Sequence, residues 1–370
     1  MTTATIRGAA SVAPITRRAD GAPDRPVDGS NRMDGRQRNG LYDEIANHHM
    51  APLWEKLRGL VSKEPESNCI PYVWRFEIAK RLMLAAGDFI TAEDAMRRVL
   101  ILENPGMPGK GLTTNTLLGG IQLILPGEIA PSHLHAATAV RFVLDGEGAY
   151  TQVDGERCIM RRGDFVVTPS LALHDHGNIS DQPVIWLDVL DLPMMSFFEA
   201  GFFQHVGRKQ ESSRDDGDSL LRYGSGAVPE GTDTTVKYSP IVSYPYARMR
   251  PILRRLAQAG DVDPRHGVRI RYANPFNGGW VTPTIGSHLA LLPAGFMGRG
   301  YRSTDATIFA CVEGKGVTTV GSERLGWTAG DVFIVPGWKR HWHSADQQAV
   351  LFSLSDRPAQ QALGIWREEE

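Results

Sequence analysis

Two histidine pairs carry the chemistry this chain can do. His133 and His135 flank Leu134, and His174 and His176 flank Asp175. Alternate side chains of a strand leave from the same face, so His133 and His135 can aim at one ion with their imidazole nitrogens about 2.1 Å from it. A third ligand would then arrive from a neighbouring strand, where "HDH" at 174–176 offers it. Three neutral imidazoles leave the full double charge on a divalent metal and several positions open. Such a centre can take both an anionic chelating substrate and a gas molecule. Histidines alone accept zinc, iron, nickel or copper, so the residue types do not select the metal.

Arg141 follows the first pair at a spacing that matters. Counting by two from His133 runs through His135, Ala137 and Ala139 to Arg141, so in an unbroken strand the guanidinium shares the face of the ligands. A guanidinium turned into an apolar interior must be neutralised. Its planar fork suits a carboxylate, from the protein or from a substrate. No acidic residue lies on this face of the strand, which favours the substrate.

The surrounding sequence indicates the elements that hold these residues. With 370 residues the chain suits two domains of moderate size, each with its own core. Residues 1–40, rich in Gly, Pro, Arg and Asp without an apolar period, read as a disordered tail. Residues 41–113 read as a helical segment, with "LYDEIANHHMAPLWEKLRGLV", "WRFEIAKRLMLAAG" and "TAEDAMRRVL" each at helical spacing. From 114 to 192 short runs of Val, Ile, Leu and Thr are punctuated by Gly, Asp and Pro, the pattern of antiparallel strands. A linker containing the helix "MRPILRRLAQAG" spans 193–267, and strand texture returns over 268–370 before a short closing helix.

The two strand-rich regions repeat one another. "LDGEGAYTQVDGE…RRGDFVVTPSLALHDH" answers "VEGKGVTTVGSE…TAGDVFIVPGWKRHWH", with Gly146 matched to Gly314 and Gly163 to Gly330 in registers that agree to within one residue. The second copy serves as an internal control. Tyr301 and Ser303 stand where the first has its HxH pair, Phe309 where it has Arg141, and only the third histidine survives, as His341. One histidine does not hold a metal that needs three, so this copy is expected to be metal-free.

Composition narrows the function classes. Lys and Arg number 40 against 42 Asp and Glu, with no basic block interleaved with aromatics, so nucleic acid is not an expected partner. No apolar run approaches the roughly 20 residues that cross a bilayer, and no apolar segment follows the Arg17–Arg18 pair. The expectation is a cytoplasmic protein without a membrane partner. Cys69, Cys158 and Cys311 are far apart and read as plain core residues rather than a disulfide framework.

The ordered motifs resemble the cupin superfamily. A glycine, five residues and HxH are met by Gly127, His133 and His135; a glycine, five residues, a proline, a histidine and an asparagine are met by Gly163, Pro169, His174 and Asn178. The resemblance implies a mainly β fold of two tandem cupin jelly-roll barrels behind an N-terminal helical segment. The glutamate many cupins place between the motifs would fall at Ala139, which leaves three histidines and no carboxylate ligand.

Beyond those motifs the chain resembles the gentisate 1,2-dioxygenase family of bicupins, which includes ring-cleaving salicylate, 5-nitrosalicylate and 1-hydroxy-2-naphthoate dioxygenases. "RRVLILENPGM", "GGIQLILPGEIAPSHLH", "GEGAYTQVDGER", "HDHGN" and "PVIWLDVLDLP" carry this in the first half, and "IRYANP", "YRSTDATIF" and "DVFIVPGW" in the second. The resemblance implies iron(II) on His133, His135 and His174, a small aromatic acid and O2 as reactants, and Arg141 and Arg98 on the substrate carboxylate. It implies a catalytic or hydrogen-bonding role for His176, a supporting one for Asp188, a pocket position for Gln122, and assembly as a homotetramer. The chain departs from the family at Leu134, Ala137 and Leu171, where arginine, glutamine and tryptophan are usual. By parity Ala137 and Leu171 would widen the substrate pocket and suit a 2-hydroxybenzoate with a bulkier 5-substituent than gentisate has. The alternatives are a cupin isomerase or hydrolase with another divalent metal, and a binding or storage bicupin.

Overall fold

The computed structural model describes residues 35–370 apart from Glu93, Asp94, Met96 and Arg208. Of the tail expected over 1–40, residues 1–34 lie outside the described residues, and the rest is not a tail. It opens the helix Gly35–Asn47. A second helix, Leu53–Leu60, follows. Within this unit, which runs to Lys63, Arg38 Nη2 donates to Glu55 Oε1 at 2.8 Å and the Tyr42 hydroxyl donates to the same oxygen at 2.7 Å. Those two polar contacts extend the helical region upstream of where apolar periodicity begins.

The remainder, Glu64–Glu370, forms one compact unit dominated by strands. One six-stranded sheet runs, in order of adjacency, Ser243–Tyr244, Phe165–Thr168, Ala139–Asp145, Val184–Leu190, Leu118–Ile124 and Val99–Ile101. A five-stranded sheet of Phe203–His205, Ile129–His135, His174–Asn178, Glu147–Val153 and Glu156–Arg161 packs on it. Their shared interior contains Ile124, Val143, Val153, Met160, Val166 and Trp186. The second copy repeats the plan. Tyr72–Trp74, Val332–Val335, Thr307–Glu313, Ala349–Ser355, Gly286–Leu292 and Val268–Arg271 form one sheet; Phe296–Met297, His341–Ala345, Lys315–Val320 and Glu323–Thr328 form the other.

The two six-stranded sheets lie back to back. Val140, Phe142, Leu144, Ile185 and Leu187 meet Leu289, Ile308, Ala310, Phe352 and Leu354 in one apolar cluster, with the rings of Phe142 and Phe352 stacked at 4.0 Å. A sheet buried on both faces loses the usual apolar and polar alternation, which is why "AVRFVLD" and "AVLFSLS" read as nearly continuous apolar runs. The rare polar residues in such strands therefore face an interior.

Three sequence expectations differ here. None of the described residues of "TAEDAMRRVL" is helical. Ala92 and Ala95 lie in turns, and Val99–Ile101 is a strand paired antiparallel with Leu118–Ile124. Its local helical spacing gives way to an open sheet edge that offers backbone partners. The segment 41–113 is also not wholly helical, because Tyr72–Trp74 adds a strand to the second barrel through Val332–Val335. The linker 193–267 likewise contributes Phe203–His205 and Ser243–Tyr244 to the first barrel. The helices "WRFEIAKRLMLAAG" and "MRPILRRLAQAG" do form, as Phe76–Gly87 and Tyr246–Ala259. Among the described residues no helix is long and apolar enough to cross a membrane.

Candidate metal centre and active site

His133 and His135 project from the strand Ile129–His135, and His174 opens the strand beside it, directly across from His133 in the ladder. Pairing across the sheet thus supplies the third ligand. The rings of His133 and His174 have centroids 4.2 Å apart, and those of His135 and His174 4.9 Å. One nitrogen from each of the three falls within 4.8 Å of the others, and all three side chains are buried.

The hydrogen bonds fix which nitrogen that is. Nδ1 of His133 lies 2.9 Å from the Pro131 carbonyl, Nδ1 of His135 2.6 Å from that of Ala137, and Nδ1 of His174 2.9 Å from that of Ala172. A carbonyl only accepts, so each Nδ1 carries the proton and each Nε2 presents a lone pair. Nε2 of His133 and of His135 is buried with no hydrogen-bond partner. Burial, reinforced by the nearby Arg97, pushes the pKa of His133 down to about 3 and that of His135 down to about 4. Burial lowers His174 and His176 as well. Three neutral imidazoles with converging lone pairs are a donor set made for a divalent transition metal.

Arg141 reaches this centre by a different route from the one the count by two supposes. The chain breaks at residues 136–138, and Ala139–Asp145 belongs to the other sheet. Within that strand Val140, Phe142 and Leu144 face the neighbouring barrel, which turns Arg141 and Val143 inward. Arg141 is fully buried, donates from Nη1 to Thr168 Oγ1 at 2.6 Å, and leaves Nε and Nη2 without hydrogen-bond partners.

The carboxylate missing from the strand of Arg141 stands on the next one. Asp188 is its cross-strand partner, with Oδ1 3.6 Å from Arg141 Nε. Arg97 approaches the same carboxylate, Nη1 to Oδ2 at 3.6 Å, while its Nη2 donates to His174 Nε2 at 2.9 Å. Burial and the repulsion of Arg141 push the Arg97 pKa down to about 9, with Asp188 opposing the shift. The interior beside the imidazoles thus holds two guanidiniums and one carboxylate. The lone pair of His174 Nε2 serves Arg97 or a metal, and Asp188 offers Arg97 its other partner.

The other expected site residues divide. His176 is buried, with Nδ1 3.0 Å from Thr151 Oγ1 and Nε2 unpartnered. Its ring lies 5.7 Å from that of His174. Gln122 is buried on the strand Leu118–Ile124 opposite Trp186, and its Oε1 has no partner. Arg98, by contrast, is not at the centre. Its guanidinium is taken by Glu128, and its Nε donates to the Ile90 carbonyl at 2.9 Å. The inward arginine is its neighbour Arg97, which sequence reading missed. The "RR" at 97–98 was the signal, and only the strand that follows decides which of the two turns in.

Two pocket assignments also change. Ala137 sits in the break between strands and acts through its carbonyl on His135, so the parity that put its methyl beside the metal does not carry across. Leu171 is 57% exposed in a left-handed turn, φ 62°, and its backbone N–H donates to the His135 carbonyl at 2.8 Å. Leu134 alternates with the two ligands and turns away from them. Strand parity therefore does not by itself place the side chains of Ala137 and Leu171.

Two stacked jelly rolls, one with three convergent imidazoles inside, define a bicupin metalloenzyme. A cupin-domain family model matches residues 120–190. The chain is 50% identical over 334 residues to gentisate 1,2 dioxygenase 1 of Aquipseudomonas alcaligenes, an alignment covering 90% of this chain and 96% of that one. It is 34% identical to 5-aminosalicylate 1,2-dioxygenase of Comamonas sp, covering 90% of each. The salicylate 1,2-dioxygenase of Pseudoaminobacter salicylatoxidans, solved as an adduct with gentisate, superposes with a TM-score of 0.87 at 31% identity, covering 92% of this chain and 96% of that one. The chain belongs to the gentisate 1,2-dioxygenase family of ring-cleaving cupin oxidoreductases.

Proposed function

We propose that this protein opens the ring of a 2-hydroxybenzoate, gentisate or a 5-substituted salicylate, with iron(II) held by Nε2 of His133, His135 and His174. The observation that carries this reading is the company the three imidazoles keep. The partly buried Arg97 and the fully buried Arg141 share Asp188 as their one carboxylate, an excess of positive charge beside a neutral ligand set. A monoanionic aromatic acid neutralises that excess.

Iron(II) at these nitrogens would supply the redox chemistry that lets the substrate and O2 react without an external reductant. The protein's own residues do the rest. Arg141, anchored through Nη1 by Thr168 and through Nε by Asp188, presents its free Nη2 to the substrate carboxylate. Arg97 supplies a second donor from the bend just before the strand Val99–Ile101, so the two guanidiniums set the ring's orientation. His176, held by Thr151, offers a neutral Nε2 to the substrate's hydroxyl proton. In the balanced reaction the bond between the carboxyl-bearing and hydroxyl-bearing ring carbons breaks and both atoms of O2 enter the product.

Gentisate heads the substrate panel, because a gentisate dioxygenase stands among the similar proteins. The test is oxygen uptake by the iron-loaded enzyme with gentisate, salicylate, 5-nitrosalicylate and 1-hydroxy-2-naphthoate. Uptake equal to the acid consumed, with loss of the aromatic absorbance, is expected. A protein that carries another metal and is silent toward all four would instead point to a cupin isomerase or hydrolase. The family resemblance supports a homotetramer, for which sedimentation equilibrium should return four chains.

A further inference from the structure

The second barrel also encloses two guanidiniums and one carboxylate, and nothing in the ring-cleaving reaction uses them. Its cavity, about 20 Å3, is lined by Arg269, Arg357, Asp305, His266, His288 and His343 among others. Arg357 and Asp305 neutralise one another, Nε to Oδ2 at 3.2 Å, and Arg357 Nη2 lies a further 3.7 Å from Glu368. Asp305 is occupied on its other oxygen by Trp366 Nε1 at 2.9 Å. Arg269 has no ion pair or side-chain hydrogen bond to any described residue. The Tyr301 hydroxyl on the cavity wall is likewise without a hydrogen bond to the protein.

The remaining lining groups do not supply the missing negative charge. Burial lowers the pKa of His266, His288 and His343, so none of the three adds a charge, and His343 is already engaged through Nδ1 by Thr318. The cavity wall therefore presents the Arg269 guanidinium and several polar groups, while Asp305 and Glu368 act on Arg269 only at longer range than an ion pair. Arg269 is partly buried, and a guanidinium withdrawn from water gains from a close anionic partner. Arg269 is not inherited filler either. The pairing of Arg269 with Ala290 repeats that of Val99 with Gln122, so an arginine stands here where the first barrel has valine.

Size and donor type select the ligand class. About 20 Å3 of space admits roughly one or two water-sized bodies, too little for an aromatic acid. The three-ligand cluster that would hold a cation occurs among the described residues only at His133, His135 and His174. We propose that the second barrel binds one compact monovalent anion of halide size, chloride being the probe, against the Arg269 guanidinium.

The test uses the full iron-loaded chain. Crystals grown in sodium bromide should show an anomalous peak within hydrogen-bonding distance of Arg269. In thermal unfolding at fixed ionic strength, replacing gluconate by chloride should raise Tm in a saturable way, bromide should do the same, and Arg269→Leu should abolish the dependence. No bromide peak at Arg269, or a peak with no saturable change in Tm, would overturn the proposal. So would an identical chloride dependence in wild type and Arg269→Leu. Should Arg269→Leu fail to fold, the bromide and Tm measurements on the wild-type chain decide.

Discussion

His133 faces His174 across a ladder in the first barrel, and Tyr301 faces His341 at the same place in the second. Arg141 faces Asp188 in the first; Phe309 faces Ser353 in the second. Yet one pair is common to both. Thr151 holds His176 at 3.0 Å, and Thr318 holds His343 at 2.8 Å. His341 even keeps the ligand orientation, Nδ1 3.0 Å from the Lys339 carbonyl and Nε2 unpartnered. The comparison separates what the fold requires from what the chemistry requires. A buried histidine bound to a threonine survives in the second barrel, so that contact by itself does not require the HxH pair. His133 and His135, and the cross-strand pair Arg141–Asp188, have no counterpart at the matching positions of the second barrel, where Tyr301, Ser303, Phe309 and Ser353 stand.

Replacing residues that differ between the barrels should have the largest effects. His135→Ala is expected to reduce iron content and turnover to background while circular dichroism and Tm stay near the wild-type values; Ser303→Ala, at the matching place, should alter neither. Arg141→Met should lower kcat/KM by about a hundredfold, the cost of roughly 3 kcal/mol for a lost charged contact to the substrate. Phe309→Leu should leave kcat/KM unchanged in the same assay.

Asp188→Asn ranks next. It leaves Arg97 and Arg141 without their shared carboxylate, and a loss of supporting contacts around a metal site costs about 10- to 100-fold in affinity or activity. The fall should appear mainly in KM, because misplaced guanidiniums weaken substrate binding first. A change confined to kcat would assign Asp188 a direct part in the chemistry instead.

The smallest effect concerns pH and the second barrel. Burial holds the pKa of His341 down to about 4 in the folded chain, against about 6.5 unfolded. Above pH 6.5 both states are neutral there and no stability depends on it. Between 6.5 and 4 only the unfolded chain takes the proton, so stability falls as pH falls through that window and levels off below it. The shift corresponds to about 3 kcal/mol at most. Denaturant unfolding from pH 7 to 4.5 should show a shallower decline in His341→Gln than in the wild type.

Much of this site was legible in the sequence because ligand spacing and strand period are both short-range. HxH on one strand, the glycine and proline around His174, and the register of the duplicated half are local patterns. What was not legible depended on where the chain changes sheets. The count from His133 to Arg141 crossed a break at 136–138 that no periodicity marks, and it reached the right residue only because Ala139–Asp145 turns alternate side chains inward again. Choosing Arg98 over Arg97 failed for the same reason. "TAEDAMRRVL" has helical spacing, and its strand Val99–Ile101 exists only through pairing with Leu118–Ile124. Asp188 was named, but its partnership with Arg141 is a matter of cross-strand register that a single strand does not contain.

The central claim is that one barrel holds the metal and the other does not. Anomalous diffraction at the iron edge from crystals of the iron-loaded enzyme tests it most directly. The account predicts one iron peak per chain, among Nε2 of His133, His135 and His174, and no peak beside His341. A peak in the second barrel, or a first barrel that stays empty of iron while the enzyme turns over, would contradict it.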